Sequence, residues 1–417
     1  MLDDSSLPWP DPSHAFVAVA TLAVFLSLRR YLYPRHPSVI PGPLKTALPG
    51  LAKDEVERLD YRPDAFPGAR DVVTPHLTNT ASKWGPEQGR KVLFIHGIST
   101  SCQTLTKLAH GLVARGCRVL LFDLWGRGFS DGVGDLPHDA RLYVSQALCA
   151  LASSPLAWTG DDGFDLAGYS LGGGIAVHFA AAFPRPVRSL TLLAPAGMIR
   201  PESFGAVTRW VFTAGLVPER LLAALTRRKL QQPIANSAVR GQKAAQQQQQ
   251  QQQNGRHPTI GDTKESKHVT NPVELATSEM QHPGAADEPA ERLERRVMRY
   301  VRWMLEHHGG FVPAFMSTIR AAPLMGQDEA YGRLGGGGGA GGRRAGTTLV
   351  VLGGEDEIID PDLYEHDALP LLGGHERVRW RVLPGASHDF PMTHAPETLK
   401  EMDDFWAAYP AAEEAIA

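Results

Sequence analysis

The sequence predicts an α/β protein built on a mostly parallel central sheet with helices on both faces. The first observation is that short apolar runs alternate along the chain with segments of helical periodicity. The second is that these runs are continuous, as is typical of parallel strands buried on both faces. The third is that 43% of the 417 residues are apolar, which is enough for a large core.

Six strands and the helices between them can be placed in order. Strands are predicted at residues 90–98, 118–125, 164–169, 189–194, 347–352 and 378–383. Helices are predicted at residues 104–115, 141–151, 171–183 and 396–409. The first of these helices carries Leu105, Leu108 and Leu112 at helical spacing and stops at Gly116. Repeated strand–helix alternation implies crossover connections between parallel strands.

The alternation is interrupted after the fourth strand by an insertion at residues 198–342. Residues 231–290 are polar, include eight consecutive glutamines and are predicted to be disordered. Residues 335–342 form a glycine-rich tract that is predicted to be flexible. Helices are predicted within the insertion at residues 202–217, 218–230 and 291–308. The insertion is therefore interpreted as a helical lid on a core of residues 61–197 and 343–417.

The N-terminal segment, residues 1–33, contains an apolar run at 15–28 that is followed by Arg29 and Arg30. This run is shorter than the ~20 residues that span a bilayer, but snorkelling arginines extend its effective length. We expect a membrane anchor over residues 15–33, with the positive charge holding the rest of the chain on the cytosolic side. The alternative is a soluble cytoplasmic protein in which this helix packs on the core. Residues 34–60 are proline-rich and predicted to be a linker.

Charge and cysteine content narrow the class of protein. The net charge of −3 argues against a nucleic-acid-binding protein. Cys102, Cys117 and Cys149 fit neither a disulfide framework nor a metal site and are expected to be free thiols. No dinucleotide fingerprint follows the first strand and no metal-ligand cluster is found, so no cofactor and no metal are expected.

Residues 168–172, Gly-Tyr-Ser-Leu-Gly, carry the strongest chemical signal. They lie at the end of a predicted strand and at the start of a predicted helix. In that context the serine occupies a strained turn, and Gly168 and Gly172 avoid a clash around it. The turn lifts the hydroxyl above the sheet and directs the Leu171 N–H at a reacting carbonyl. Ser170 is therefore the predicted nucleophile, against the alternative of a tight structural turn.

His96, Gly97 and Ile98 end the first strand. A His-Gly pair at this place lets the backbone turn sharply and present an N–H. We expect the Ile98 N–H to be the second donor of an oxyanion hole, beside the Leu171 N–H. His96 is expected to brace the loop and not to act as a base. The alternative is an ordinary turn at the end of a strand.

A serine nucleophile needs a histidine base, and the histidine needs a carboxylate that fixes its tautomer. Asp356 lies in the loop after the fifth strand and is the predicted acid, with Glu355, Glu357 and Asp360 as alternatives. His388 lies in the loop after the last strand and is the predicted base. His394 is the alternative base.

Together these motifs resemble the α/β-hydrolase superfamily, in the branch of monoacylglycerol lipases, valacyclovir-hydrolase-like esterases and meta-cleavage C–C hydrolases. The match includes residues 123–130, Asp-Leu-Trp-Gly-Arg-Gly-Phe-Ser, which shape the top of the sheet in that family. The motifs occur in the family order over residues 91–390. The resemblance implies the α/β-hydrolase fold and a triad of Ser170, Asp356 and His388. Relatives that hydrolyse epoxides or haloalkanes carry Asp at the nucleophile position, so Ser170 argues against those reactions.

The expected function is hydrolysis of a carboxylic ester through an acyl-enzyme on Ser170. The substrate is expected to be a small molecule or lipid-like. The same residues could act on an amide or peptide, a thioester or a C–C bond, and the sequence does not separate these bonds. An alternative of another class is a non-catalytic binding module on the same scaffold.

Overall fold

A central eight-stranded sheet organises the structure, a computed structural model that describes residues 12–73, 78–159, 163–200, 217–231, 290–336 and 347–408. The strands in these ranges are β1 (Val39–Ile40), β2 (Ala69–Val73), β3 (Thr78–Trp84), β4 (Lys91–Ile95), β5 (Arg118–Phe122), β6 (Gly132–Val133), β7 (Phe164–Tyr169), β8 (Val187–Leu193), β9 (Thr348–Gly353) and β10 (Val378–Leu383).

The helices of the described residues connect these strands and form the insertion. They are α1 (Pro12–Leu32), α2 (Pro43–Thr46), α3 (Lys53–Glu57), α4 (Thr106–Ala114), α5 (Ala140–Ala152), α6 (Leu171–Ala182), α7 (Glu219–Leu230), α8 (Ala290–His307), α9 (Phe311–Ala321), α10 (Asp328–Gly335), α11 (Pro361–Ala368), α12 (Phe390–Thr393) and α13 (Ala395–Ala407). Short 3-10 helices lie at Leu48–Gly50 and Cys102–Leu105.

The sheet order is β10-β9-β8-β7-β4-β5-β3-β2. Neighbours from β10 to β5 are parallel, whereas β3 pairs antiparallel with β5 and β2 pairs antiparallel with β3. All six residues of β7 are buried, and so are all six of β9. Because successive side chains point to opposite faces, helices must cover both sides of these strands. The predicted mostly parallel sheet is confirmed, with an antiparallel edge of β3 and β2 that was not predicted.

The insertion between β8 and β9 is helical where the structure describes it. Helices α7 and α8 agree within one residue with the helices predicted at 218–230 and 291–308. Helices α9 and α10 were not predicted. The helix predicted at 202–217, the glutamine-rich segment 231–290 and the glycine tract 335–342 lie outside the described residues except at their ends. Their structural predictions therefore stay predictions.

Helix α1 carries the apolar run of the N-terminal segment, and its large apolar side chains are exposed. Its C-terminal end contacts α7, where the Arg220 guanidinium lies 4.3 Å from the centre of the Tyr31 ring. Within the described ranges, no helix is long and apolar enough to span a membrane. The membrane-spanning anchor expected over residues 15–33 therefore finds no support.

The proline-rich segment 34–60 lies against the core. Strand β1 pairs antiparallel with β6. The Gly42 N–H donates to Asp131 Oδ1 over 2.8 Å, and the Lys45 ammonium lies 2.6 Å from Asp131 Oδ2. These contacts attach the segment predicted as a linker to the loop that follows β5.

Candidate active site

Ser170 lies at the junction of β7 and α6, as the sequence predicts. Its backbone has φ 52° and ψ −120°, in a region that L residues rarely adopt. A Cβ on Gly168 would lie 2.2 Å from the Gly172 carbonyl oxygen, and one on Gly172 would lie 2.1 Å from the Ile95 carbonyl oxygen. Only glycine fits at these two positions, so the strained turn depends on both.

A chain of hydrogen bonds joins Ser170, His388 and Asp356. His388 Nε2 lies 3.1 Å from Ser170 Oγ, and His388 Nδ1 lies 2.8 Å from Asp356 Oδ2. The other carboxylate oxygen, Asp356 Oδ1, accepts from the N–H groups of Ile358 and Ile359, each over 2.8 Å. The carboxylate is thereby oriented, and it can hold the His388 proton on Nδ1 so that Nε2 is free to accept a proton from the serine.

The parallel sheet explains why these three residues meet. Asp356 follows β9 and His388 follows β10, and the two strands are parallel neighbours in register. Ser170 follows β7, two strands away in the same sheet. Loops after parallel strands emerge at one edge of the sheet. All three residues are nearly enclosed, with exposures of 4%, 6% and 2% for Ser170, Asp356 and His388.

Tyr169 holds the loop that carries His388. Its hydroxyl donates to the His388 carbonyl over 3.0 Å, and the two rings lie 5.3 Å apart. Tyr169 was not predicted to have a role, although its place beside Ser170 put it at the edge of the sheet where these loops lie.

The alternative acids and the alternative base lie elsewhere. Glu355 and Glu357 are exposed. Asp360 is exposed as well and caps α11 by accepting from the N–H groups of Asp362 and Leu363. His394 bonds through Nδ1 to the neighbouring Thr393 hydroxyl.

His96 is fully buried and bonded at both ring nitrogens. The Leu124 N–H donates to Nε2 over 2.9 Å, so the proton of the neutral ring is on Nδ1, which donates to the Gly97 carbonyl over 2.8 Å. Burial lowers the pKa of His96 to about 3. His96 therefore stays neutral at ordinary pH, and its contacts fit the predicted bracing role beside Ile98.

The loop after β5 is built around the buried carboxylate of Asp123. Its oxygens accept from the backbone N–H groups of Cys102 and Phe129, both over 3.0 Å, and from the Tyr61 hydroxyl over 3.1 Å. A Cβ on Gly128 would overlap this carboxylate. Burial raises the pKa of Asp123, and the hydrogen bonds oppose that effect. Asp123 thus ties the loop to the segment just after Ile98.

The residues that follow β8, where the insertion begins, are hydrogen-bonded to the turn at Ser170. The Ser170 carbonyl accepts from the Ala196 N–H and the Gly173 N–H, both over 2.9 Å. Ala194, between β8 and this contact, has φ 40°. The chain therefore leaves the sheet in a sharp bend that closes on Ser170.

The fold and the arrangement of these loops define an α/β hydrolase. A family model for the alpha/beta hydrolase fold matches residues 91–395. The chain belongs to this family.

Similar proteins include several hydrolases. Lipase LipV of Mycobacterium tuberculosis is 35% identical over 114 residues, which are 27% of this chain and 40% of that protein. Mouse monoglyceride lipase is 28% identical over 137 residues, 31% of this chain and 45% of that protein. The matches thus span less than half of the length of these relatives.

A solved structure with a similar fold is that of a membrane phospholipase A, a bacterial virulence factor. It has a TM-score of 0.51 at 16% identity, covering 94% of this chain and 92% of that one. At this identity the similarity shows the shared fold.

Proposed function

We propose that this protein is a serine hydrolase that cleaves a carboxylic ester through an acyl-enzyme on Ser170. The observation that carries the proposal is the hydrogen-bonded chain from Ser170 Oγ through the His388 ring to the Asp356 carboxylate. Serine is a weak nucleophile at neutral pH, and this arrangement is what activates it.

In the first half of the reaction, Ser170 Oγ attacks the carbonyl carbon of the ester while His388 Nε2 takes the serine proton. Asp356 stabilises the imidazolium that forms. The carbonyl oxygen becomes an oxyanion, for which we assign the backbone N–H groups of Ile98 and Leu171 as donors. The C–O bond of the ester then breaks, and the alcohol leaves with the proton from His388.

In the second half, water attacks the acyl group on Ser170 while His388 Nε2 accepts a proton from the water. The same two N–H groups hold the second oxyanion. Collapse of this intermediate returns the proton to Ser170 Oγ and releases the carboxylic acid. The cycle needs no cofactor or metal, because the triad and the two N–H groups supply every proton transfer and charge contact.

We further propose that the acyl substrate is lipid-like. The support is the likeness to a mycobacterial lipase and a monoglyceride lipase. The apolar residues Met304 and Phe311 of the insertion are buried in the core and serve packing, so they add nothing to this support. The membrane attachment proposed below is consistent with such a substrate.

A panel of acyl substrates tests the bond and the chain length. We expect hydrolysis of p-nitrophenyl or glyceryl esters, faster for long acyl chains than for acetyl, with slower turnover of a matched thioester and anilide. Preference for the thioester, the amide or a vinylogous C–C substrate would mean that the same triad acts on that bond and not on an ester. A folded protein that turns over none of these compounds and is not labelled by a fluorophosphonate would instead be the non-catalytic binding module.

Helix α1 also suggests how the enzyme meets such a substrate, and we propose that it attaches the protein to a lipid surface without spanning it. Large apolar side chains that are more than half exposed occur around the whole helix: Phe16, Val17, Val19, Leu22, Val24, Phe25 and Leu28. Leaving this area in water costs about 25 cal/mol per Å². Arg29, Arg30 and Tyr31 follow, and such residues favour the headgroup region.

Vesicle co-sedimentation tests this attachment. The full-length protein is expected to pellet with anionic phosphatidylcholine–phosphatidylglycerol vesicles, and a variant with Phe16→Asn, Val19→Asn and Leu22→Asn is expected to stay in the supernatant. Leu136→Asn is the matched control, because Leu136 is also exposed but lies outside α1. Equal pelleting of all three proteins, or no pelleting of the wild type, would contradict the attachment.

A further inference from the structure

Arg127 is a fully buried arginine in the loop after β5. Its Nε donates to the Ile98 carbonyl over 3.0 Å, and its Nη1 donates to the Trp125 carbonyl over 3.1 Å and to the Tyr143 hydroxyl over 3.4 Å. Its Nη2 donates to Thr318 Oγ1 over 3.0 Å. All of these acceptors are neutral, and no carboxylate of the described residues forms an ion pair with Arg127.

A buried guanidinium that has only neutral partners is not expected to stabilise the fold by its contacts alone. Desolvation of the charge is costly, and an apolar side chain of similar volume often serves a core equally well. The value of arginine at this place is its rigid, planar fork of donors, which can hold several acceptors in a fixed geometry. Two of the four acceptors of Arg127 lie in the loop that carries Ile98 and in helix α9 of the insertion, so this one side chain bridges the two.

The hydrogen bonds among the hydroxyl groups near α9 have defined donors and acceptors. Thr318 Oγ1 donates to the Ala314 carbonyl over 2.7 Å, so it accepts from Arg127 and from the Tyr143 hydroxyl at 2.7 Å. The Tyr143 oxygen in turn accepts from Arg127. Helix α9 also presses on the loop directly, since a Cβ on Gly126 would lie 2.3 Å from the Ala314 Cβ. The seated helix therefore fixes the position of the guanidinium.

Two side chains, His96 and Arg127, hold the backbone on the two sides of Ile98. The Gly97 carbonyl shares a planar peptide unit with the Ile98 N–H, and the two point in opposite directions. The bond from His96 to that carbonyl therefore directs the N–H. The bond from Arg127 to the Ile98 carbonyl fixes the next peptide unit. With both planes fixed, neither backbone dihedral of Ile98 is free to turn.

We propose that Arg127 is a positioning residue that couples helix α9 of the insertion to the oxyanion hole. With α9 seated, Thr318 and Tyr143 hold the guanidinium, and the guanidinium holds the Ile98 backbone so that its N–H points at the oxyanion. When α9 is displaced, Arg127 loses Thr318 as an acceptor, and Tyr143, which belongs to α5, loses the hydrogen bond that orients its hydroxyl. The donor at Ile98 then loses its alignment. This inference rests on the proposed function, because it assigns Ile98 to an ester-hydrolysing oxyanion hole.

The test compares Arg127→Met, Arg127→Lys and Thr318→Val with the wild type. The number of working sites is first determined by end-point titration with a fluorophosphonate, and kcat and KM are then expressed per titrated site. We expect kcat to fall at least about tenfold in each variant, because loss of one oxyanion donor costs about 10²- to 10³-fold. KM should change by less than about threefold, since ground-state binding does not use this donor.

Thr318→Val keeps the shape of the side chain and removes the hydroxyl that accepts from Arg127 and from Tyr143, so it tests the coupling even if Arg127→Met fails to fold. Ser317→Ala is the matched control on the same helix. The double variant Arg127→Met/Thr318→Val should be no slower than Arg127→Met, because both changes break one path.

Two outcomes overturn the proposal in different ways. If all variants keep the wild-type kcat per titrated site and only their Tm falls, Arg127 serves the fold and the coupling is wrong while the hydrolase function stands. If the wild type shows no turnover that depends on Ser170, the proposed function fails and the coupling fails with it.

Discussion

Ser170→Ala is expected to lower kcat for ester hydrolysis by roughly 10⁶-fold and to abolish labelling by a fluorophosphonate. The reason is that the acyl-enzyme cannot form without Oγ, whereas the binding surface and the backbone N–H donors remain. Stopped assays with the best ester of the substrate panel measure the rate, and intact-protein mass spectrometry measures labelling. Activity or labelling close to that of the wild type would mean that another residue is the nucleophile.

Ser170→Gly is the matched control for folding. At φ 52° and ψ −120° any L side chain is strained, and glycine relieves that strain. We expect Ser170→Gly to be as inactive as Ser170→Ala and about 1 kcal/mol more stable in urea unfolding. A Gly variant less stable than the Ala variant would mean that the turn is not strained as the backbone angles indicate.

Asp356→Asn is expected to lower kcat by roughly 10⁴-fold. The amide oxygen can still accept from the N–H groups of Ile358 and Ile359, so the loop should keep its shape. The amide nitrogen then faces His388 Nδ1, which must become an acceptor, and the ring proton moves to Nε2. In that tautomer His388 cannot take the proton of Ser170.

Glu357→Gln is the control for this change, because Glu357 is in the same loop, carries the same charge and is exposed. Its kcat should equal that of the wild type. Circular dichroism and Tm establish that both variants are folded. A loss in Glu357→Gln as large as that in Asp356→Asn, or nearly full activity in Asp356→Asn, would reject Asp356 as the acid.

Local patterns in the sequence predicted the central part of the fold well. Strands β7 and β9 are buried along their whole length, and such strands leave a continuous apolar run that is easy to recognise. Strands β2 and β3 lie at one end of the sheet, and their residues, Ala69–Val73 and Thr78–Trp84, mix polar and apolar side chains. Strand β3 joins the sheet by pairing with β5, which is not its neighbour in sequence, and no local pattern records that contact.

The candidate active site likewise contains residues that local sequence patterns predict and residues that they do not. Ser170, Asp356 and His388 were placed by short motifs at strand ends, because the chemistry restricts which residues can occur there. Arg127 lies between two glycines in a loop and looks like a surface residue in the sequence. Its burial depends on Thr318, which is 191 positions away in a helix that was itself not predicted. Only the folded chain brings that pair together.

The burial of Ser170 has a consequence for the rate-limiting step of the reaction. A side chain that is 4% exposed leaves an ester little direct approach from bulk solvent, so we expect the structure around Ser170 to open when substrate enters and the acid leaves. Openings of this kind occur over microseconds to milliseconds and set the rate of many enzymes. For a reactive ester we therefore expect opening of the entrance to be the slow step, so that kcat should be the same for leaving groups of different lability.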